Sequence, residues 1–355
     1  MPVTIAGLNP DSNKKGAPAP PRHSPGEVLL LRWASTLLAG LLTLAPLVLS
    51  RAVAAAEHYP SRPIRLVLSV GTGGVGDVTN RIFALQMSRS MGQQIVIDNR
   101  PAAGGVAAAM AVINANPDGY TLLQAGNAAA ISVSLFKKLP FDLLKDFTPV
   151  SMMGMFQMGI IAAPQSGFTT LADMLAYARK HPRKLNIGTI SVGSTPFLAA
   201  ELFKSMAGIE TQTVPFKSNT PLITSLRANE LPVAFELLGP VLAQIKTHSL
   251  KALAVGSDRR FPGLPDVPTI SEAGVAGYNV SSWTGVSVPA RTPAAIVDRI
   301  AREVALAAAV PDVRQPLQEM GIEARATTPA ETRKLMIAEI ARWKQVIEQA
   351  KIERQ

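Results

Sequence analysis

From Tyr59 onward the chain alternates short runs of Val, Ile and Leu with longer segments whose apolar residues recur at helical spacing. Short apolar runs bounded by turn residues read as buried strands and the segments between them as helices, the order of an α/β protein with mainly parallel sheets. The first unit is a strand over 64–70, a glycine-rich turn and a helix over 78–91. A strand over 95–98 follows, then a helix opening at Pro101-Ala-Ala-Gly-Gly105 and running to about Asn114. The turn Pro117-Asp-Gly119 precedes a strand over 120–125, and the long apolar run 150–163 reads as a crossing between domains. A second series then repeats the first: helix 171–181, strand 185–189, the loop Ile190-Ser-Val-Gly-Ser-Thr-Pro196 and helix 197–206. Beyond it lie a helix over 222–227, strands ending at Glu236 and Gly256, a return crossing over 278–288, and helices opening at Thr292-Pro293, Pro311 and Pro329. Two crossings make the first domain discontinuous: residues 59–154 with 282–355, enclosing a second domain of residues 155–281.

The turn after the first strand carries the chemistry. Its glycines let main-chain N–H groups approach a ligand that side chains would fend off. Asp77 reads as the cap of the following helix, whose first turn favours anions. The same residues spell Gly71-x-Gly73-x-x-Gly76, with Asp98 about 20 residues further on, the spacing of a dinucleotide-binding βαβ unit. A nucleotide-dependent oxidoreductase using that loop is therefore the enzymatic alternative, although Asn80 stands where its helix wants a small residue. In the second series, Pro196 suits a first helical position and Ser194 or Thr195 the cap.

Composition narrows the choice. A chain of 355 residues, 47% hydrophobic, has the length of about two domains. Of the formal charge of +10, residues 1–56 hold five basic and two acidic residues, leaving +7 for the remainder, a balance that suits acidic partners. No dense Lys/Arg block with interleaved aromatics marks a nucleic-acid surface. Lys14, Lys15, Arg22 and Arg32 precede an apolar run over 34–50 and then Ala52-Val-Ala-Ala-Ala56, which reads as an export signal over 1–56, cleaved near Ala54 to Ala56, and a periplasmic mature protein. The run is short for a span and contains Pro46. The absence of cysteine excludes disulfides, thiolate metal sites and cysteine nucleophiles. His58, His181 and His248 stand too far apart for a zinc motif, and no Gly-x-Ser-x-Gly elbow or Ser/His/Asp trio is present. The expectation is a monomer without metal or catalytic residues, and without a cofactor unless the glycine-rich loop holds a nucleotide.

Several strings carry a family resemblance: Tyr59-Pro-Ser-Arg-Pro-Ile-Arg65, Asp98-Asn-Arg-Pro-Ala-Ala-Gly-Gly105, Pro117-Asp-Gly-Tyr-Thr-Leu-Leu123, Glu201-Leu-Phe-Lys204, and Leu264-Pro-Asp-Val-Pro-Thr-Ile-Ser-Glu-Ala-Gly274 leading to Ser281-Ser-Trp283. Together they resemble the substrate-binding proteins of tripartite tricarboxylate transporters, the Bug proteins, over residues 59–352. The resemblance implies a two-lobed periplasmic-binding-protein-like fold of type II, in which two Rossmann-like α/β domains joined by two crossing segments close on a small organic carboxylate or an amino-acid-like ligand. The closed protein is then presented to membrane transporter subunits or, alternatively, docks on a sensor receptor. The implied ligand-binding residues are Val70, Gly71, Thr72, Gly73, Gly74, Val75, Gly76 and Asp77 in the first loop and Ser191, Gly193, Ser194 and Thr195 in the second, largely through ordered waters. Glu236 stands where amino-acid-binding members carry an aspartate, placed to receive an amino group or to repel an extra carboxylate.

This chain departs from the family pattern in both loops. The usual Pro-Phe-Ala-Pro-Gly-Gly-Gly-Thr-Asp is here Ser69-Val-Gly-Thr-Gly-Gly-Val-Gly-Asp77, Ser191-Val192 replace the usual Gly-Asn, and Phe197 replaces a frequent histidine. The second wall is thereby less polar. Arg65, Arg100 and Lys217 are expected in structural or solvated pairings, and Trp283 in core or hinge packing.

Overall fold

The computed structural model describes residues 59–355; the expected export signal lies outside the described residues. The first segment runs β1 (Ile64–Leu68), α1 (Val75–Met91), β2 (Ile95–Asn99), a 3-10 turn (Ala103–Gly105), α2 (Val106–Ile113), β3 (Thr121–Gly126), α3 (Asn127–Leu135) and β4 (Phe147–Phe156). The middle segment runs β5 (Met158–Ala162), α4 (Leu171–Lys180), β6 (Asn186–Ile190), α5 (Thr195–Ala207), β7 (Gln212–Phe216), α6 (Asn219–Arg227), β8 (Val233–Leu237), α7 (Leu242–Lys246) and β9 (Lys251–Val255). The last holds β10 (Ser282–Pro289), α8 (Ala294–Ala309), α9 (Pro311–Glu319), β11 (Ile322–Ala324) and α10 (Pro329–Gln349). No described helix is long and apolar enough to cross a membrane.

Two sheets result, one of six strands in the order β11-β4-β10-β3-β1-β2 and one of five in the order β7-β6-β8-β5-β9. The chain passes from one to the other at Gln157, between β4 and β5, and returns through residues 256–281 into β10. The sheets are mixed rather than mainly parallel. β1 pairs in parallel with β2 and β3, and β6 with β7 and β8, but β10 is antiparallel to β3 and β4, β11 to β4, and β5 to β8 and β9. β10 comes back from the other sheet and inserts between β3 and β4 running against both. It lies so close that a Cβ at Gly126 would sit 2.3 Å from the Trp283 carbonyl oxygen, and one at Gly285 2.5 Å from that of Ser151. Those strands read as apolar runs because both of their faces are covered.

One face of the larger sheet packs on α1, α8 and α9 through Phe83, Met87, Ile300, Val304 and Leu317. Its other face packs on α2, α3 and α10, and that core continues into the second lobe through Phe197, Phe203 and Phe235. α10 makes the continuity possible. Thr328 and Glu331 form a reciprocal capping box, Pro329 opens the first turn, and the helix buries Met336, Trp343, Val346 and Ile347. α6 and α7 cover the far face of the second sheet through Leu222, Leu226, Val241 and Leu242.

Three elements lie outside the sequence expectations: α3, α7 and β11. α3 is Ala-rich with little amphipathic contrast, α7 has five residues and β11 three. None offers a strong period to read.

Candidate functional site

β1 and β3 are parallel, so both deliver their C-terminal ends to one edge of their sheet, and β6 and β8 do the same in theirs. Two places bring these edges together. Val75, at the start of α1, shares a small gap with Leu237 and Gly239 at the end of β8. Asn127, at the start of α3, donates from its amide nitrogen to the Thr195 hydroxyl at the start of α5, 3.0 Å away. Beside that contact a Cβ at Gly193, whose φ is +81°, would fall 2.8 Å from Leu135. The second loop must be glycine there to close on α3.

The first loop is built around Asp77. The expectation that Asp77 caps α1 is corrected: the helix starts at Val75, Gly74 occupies the cap, and Asp77 is the third helical residue. From there its carboxylate reaches back. One oxygen accepts from the Gly73 N–H (2.9 Å) and from Arg81 Nε (2.9 Å), the other from Asn99 Nδ2 (2.9 Å). Asn99 also donates to the Val70 carbonyl (3.0 Å) and accepts from Arg81 Nη2 (3.0 Å). The hydrogen bond from Arg81, then those from Gly73 and Asn99, pull the buried carboxyl down to about 2. Asp77 thus organises the loop and has both oxygens engaged within the protein. Below the loop, Ser69 donates to Gln124 (3.0 Å) and Gln124 to Thr284 (3.0 Å), a polar relay across β1, β3 and β10.

What the loop offers outward is backbone. Among the described residues the N–H groups of Gly71, Thr72, Val75 and Gly76 make no hydrogen bond, while Arg81 is committed to Asp77 and Asn99. Open N–H groups at a helix start carry partial positive charge and accept an anion without a cationic side chain.

In the second loop the structure separates two residues that the sequence reads alike. Ser194 is the cap of α5: its hydroxyl donates to the Ile190 carbonyl (2.9 Å) and accepts from the Phe197 N–H (3.3 Å). The cap expected of Ser194 is thus present, and its hydroxyl proton is engaged within the loop. Replacing Ser194 by alanine should cost about 1 kcal/mol of stability, measured by denaturant unfolding, and move ligand affinity less than twofold. Thr195 is half-buried and its oxygen receives Asn127. Ser191 and Val192 lie on the surface, with Val192 half exposed.

Glu236 is neither a solvated strand end nor an open anionic wall. It is fully buried, one oxygen accepts from the Leu237 N–H (2.6 Å), and the other has no partner among the described residues. Burial pushes its carboxyl up to about 7. Arg65 and Arg100 both pair with Asp98, at 3.6 and 2.9 Å, so the carboxylate that a dinucleotide ribose would need is occupied. Trp283 is buried in the core. The residue the sequence reading missed is Asn127, and its signal was Gly126-Asn127 followed by a run of alanines at the end of the strand over 120–125. A cavity of about 690 Å3 opens elsewhere, beside β9 between Leu171, Ile245 and Leu264.

Two α/β lobes crossed twice by the chain, with helix starts meeting between them, define a two-lobed solute-binding protein. The profile of the family described as "Tripartite tricarboxylate transporter family receptor" matches residues 79–352, and the chain belongs to that family. It is similar to Protein BugT of Bordetella pertussis, with 31% identity over 294 residues, 82% of this chain and 90% of BugT. Among solved structures it is similar to Rpa4515 of R. palustris with adipate, at 33% identity and a TM-score of 0.70, covering 83% of this chain and 99% of that one. MatC (Rpa3494) from Rhodopseudomonas palustris with bound malate is 30% identical, with a TM-score of 0.66, covering 81% and 100%.

Proposed function

We propose that this protein is a periplasmic solute-binding protein that captures a small dicarboxylate between its lobes and hands it to a membrane transporter. The observation that carries the reading is the pair of loops at the facing sheet edges: one presents open backbone N–H groups at the start of α1, the other the start of α5 with Thr195. Each suits one carboxylate, and relatives of about one-third identity hold adipate and malate. Apolar side chains stand in and beside both loops: Val70 and Val75 in the first, Val192 in the second and Leu237 at the end of β8. That lining favours a ligand with an unsubstituted aliphatic middle over a hydroxylated one, whose hydroxyl would be left without a partner. In this reading residues 59–154 with 282–355 form one closing body and 155–281 the other, and the closed state is selected because only there does the ligand touch both.

A panel of di- and tricarboxylates, keto acids and amino acids tests this by thermal unfolding. At a hundredfold excess over its dissociation constant a true ligand stabilises by about 2.7 kcal/mol. We expect aliphatic dicarboxylates of adipate type to shift the midpoint furthest, malate less, and single-carboxylate ligands least. An unmoved midpoint across the panel would refute the ligand class.

A further inference from the structure

The contact between Asn127 and Thr195 is one link of a longer chain of hydrogen bonds. The buried indole Nε1 of Trp343, on α10, donates to Asn127 Oδ1 at 2.8 Å, and Asn127 Nδ2 donates to Thr195 Oγ1 at 3.0 Å. Trp343 and Asn127 are both completely buried. An indole N–H is a donor only, so the group facing it has to be the amide oxygen. The amide nitrogen then faces Thr195, and it too is a donor only. Thr195 must receive that hydrogen on a lone pair, which leaves its hydroxyl proton to be directed away from Asn127.

We propose that Trp343 and Asn127 are positioning residues that turn the Thr195 hydroxyl proton outward, so that the start of α5 offers a hydrogen-bond donor to a ligand carboxylate oxygen. The inference rests on the functional reading above and deepens it by setting the polarity of one end of the ligand. Ser194, with its own proton committed to Ile190, cannot substitute. The three donors point one way, and each bond in such a chain polarises the next. No cation is needed at this end of the ligand.

Isothermal titration of purified wild type, Thr195→Val, Thr195→Ser, Trp343→Phe and the double variant Thr195→Val/Trp343→Phe with adipate tests the relay. Thr195→Val should raise Kd about ten- to hundredfold, as expected for a lost hydrogen bond to a charged group, and Thr195→Ser should restore most of it. Trp343→Phe, which frees the amide to turn over, should raise Kd about threefold to tenfold in the wild-type background and leave Kd unchanged in Thr195→Val. A merely structural role for Trp343 would weaken both backgrounds alike, and that result overturns the inference. So does a Thr195→Val protein that binds as tightly as the wild type. If the folded wild type itself binds no adipate, the failure is that of the ligand reading, and the relay loses its ligand with it.

Discussion

Replacement of Asp77 by alanine is expected to lower stability by about 1–3 kcal/mol and to weaken ligand binding at the same time. Three donors converge on that carboxylate, and without it the Gly73 N–H loses its partner while the Asn99 amide keeps only its bond to the Val70 carbonyl. A fully buried donor left unsatisfied costs about 1–3 kcal/mol, but Gly73 is exposed and Asn99 half-buried, so water offsets part of that cost, and Arg81, which is half exposed, recovers its loss in water. The effect carries a pH signature. The folded carboxyl lies at about 2 against an ordinary 3.8, so the ionised form is the one that folding favours. Its contribution is present above the unfolded value and disappears as pH falls through the folded one. Denaturant unfolding of wild type and Asp77→Ala should therefore show a gap that is full at pH 6 and shrinks toward pH 2. A gap independent of pH would mean that the side chain acts through packing and not through its charge.

The second large effect has the opposite sign. Glu236→Gln is expected to stabilise the protein at pH 8 by on the order of 2–3 kcal/mol and to be nearly neutral near pH 4.5. The carboxyl is fully buried, one of its oxygens is unpaired, and burial raises it to about 7. Between the ordinary 4.5 and 7 the folded protein holds a proton that the unfolded chain has released. Stability therefore falls as pH rises through that window, at up to about 1.4 kcal/mol per pH unit. Glutamine keeps the shape and the acceptor for Leu237 N–H and removes the titration. A wild-type stability curve that is flat from pH 4.5 to 8 would show that Glu236 is not held as the neutral acid. Below pH 7 a neutral carboxyl does not repel a second ligand carboxylate, which reconciles an acid at this position with a dicarboxylate ligand.

The expectations that came from local chemistry are those the structure keeps. The glycine-rich turn after β1, the small-residue loop before α5, the cap at Ser194 and the proline-opened helices α9 and α10 all depend on residues within a turn of one another. The expectations that failed, or were never formed, depend on distant partners. Asp77 looked like a cap because an aspartate at a helix start usually is one; Asn99, 22 residues away, and Arg81 together with the loop's own N–H recruit it instead. Glu236 ended an apolar strand and was placed by the resemblance to receive an amino group or to repel an extra carboxylate, whereas the fold buries it completely. The sheets read as mainly parallel because alternating strands and helices imply crossovers, whereas β10 returns against β3 and β4, β11 runs against β4, and β5 against β8 and β9.

By itself, then, the sequence determined the class of fold, the order of its elements and the two loops at which helices begin after strands, since capping residues, glycines and hydrophobic period act over a few residues. The tertiary structure alone decided which hydroxyl of the second loop keeps a free proton. That choice is made by Asn127 and Trp343, 68 residues before Thr195 and 148 after it in the chain. Hydrogen-bond polarity is set by whichever donor the fold places opposite an acceptor, and no local spacing encodes that placement.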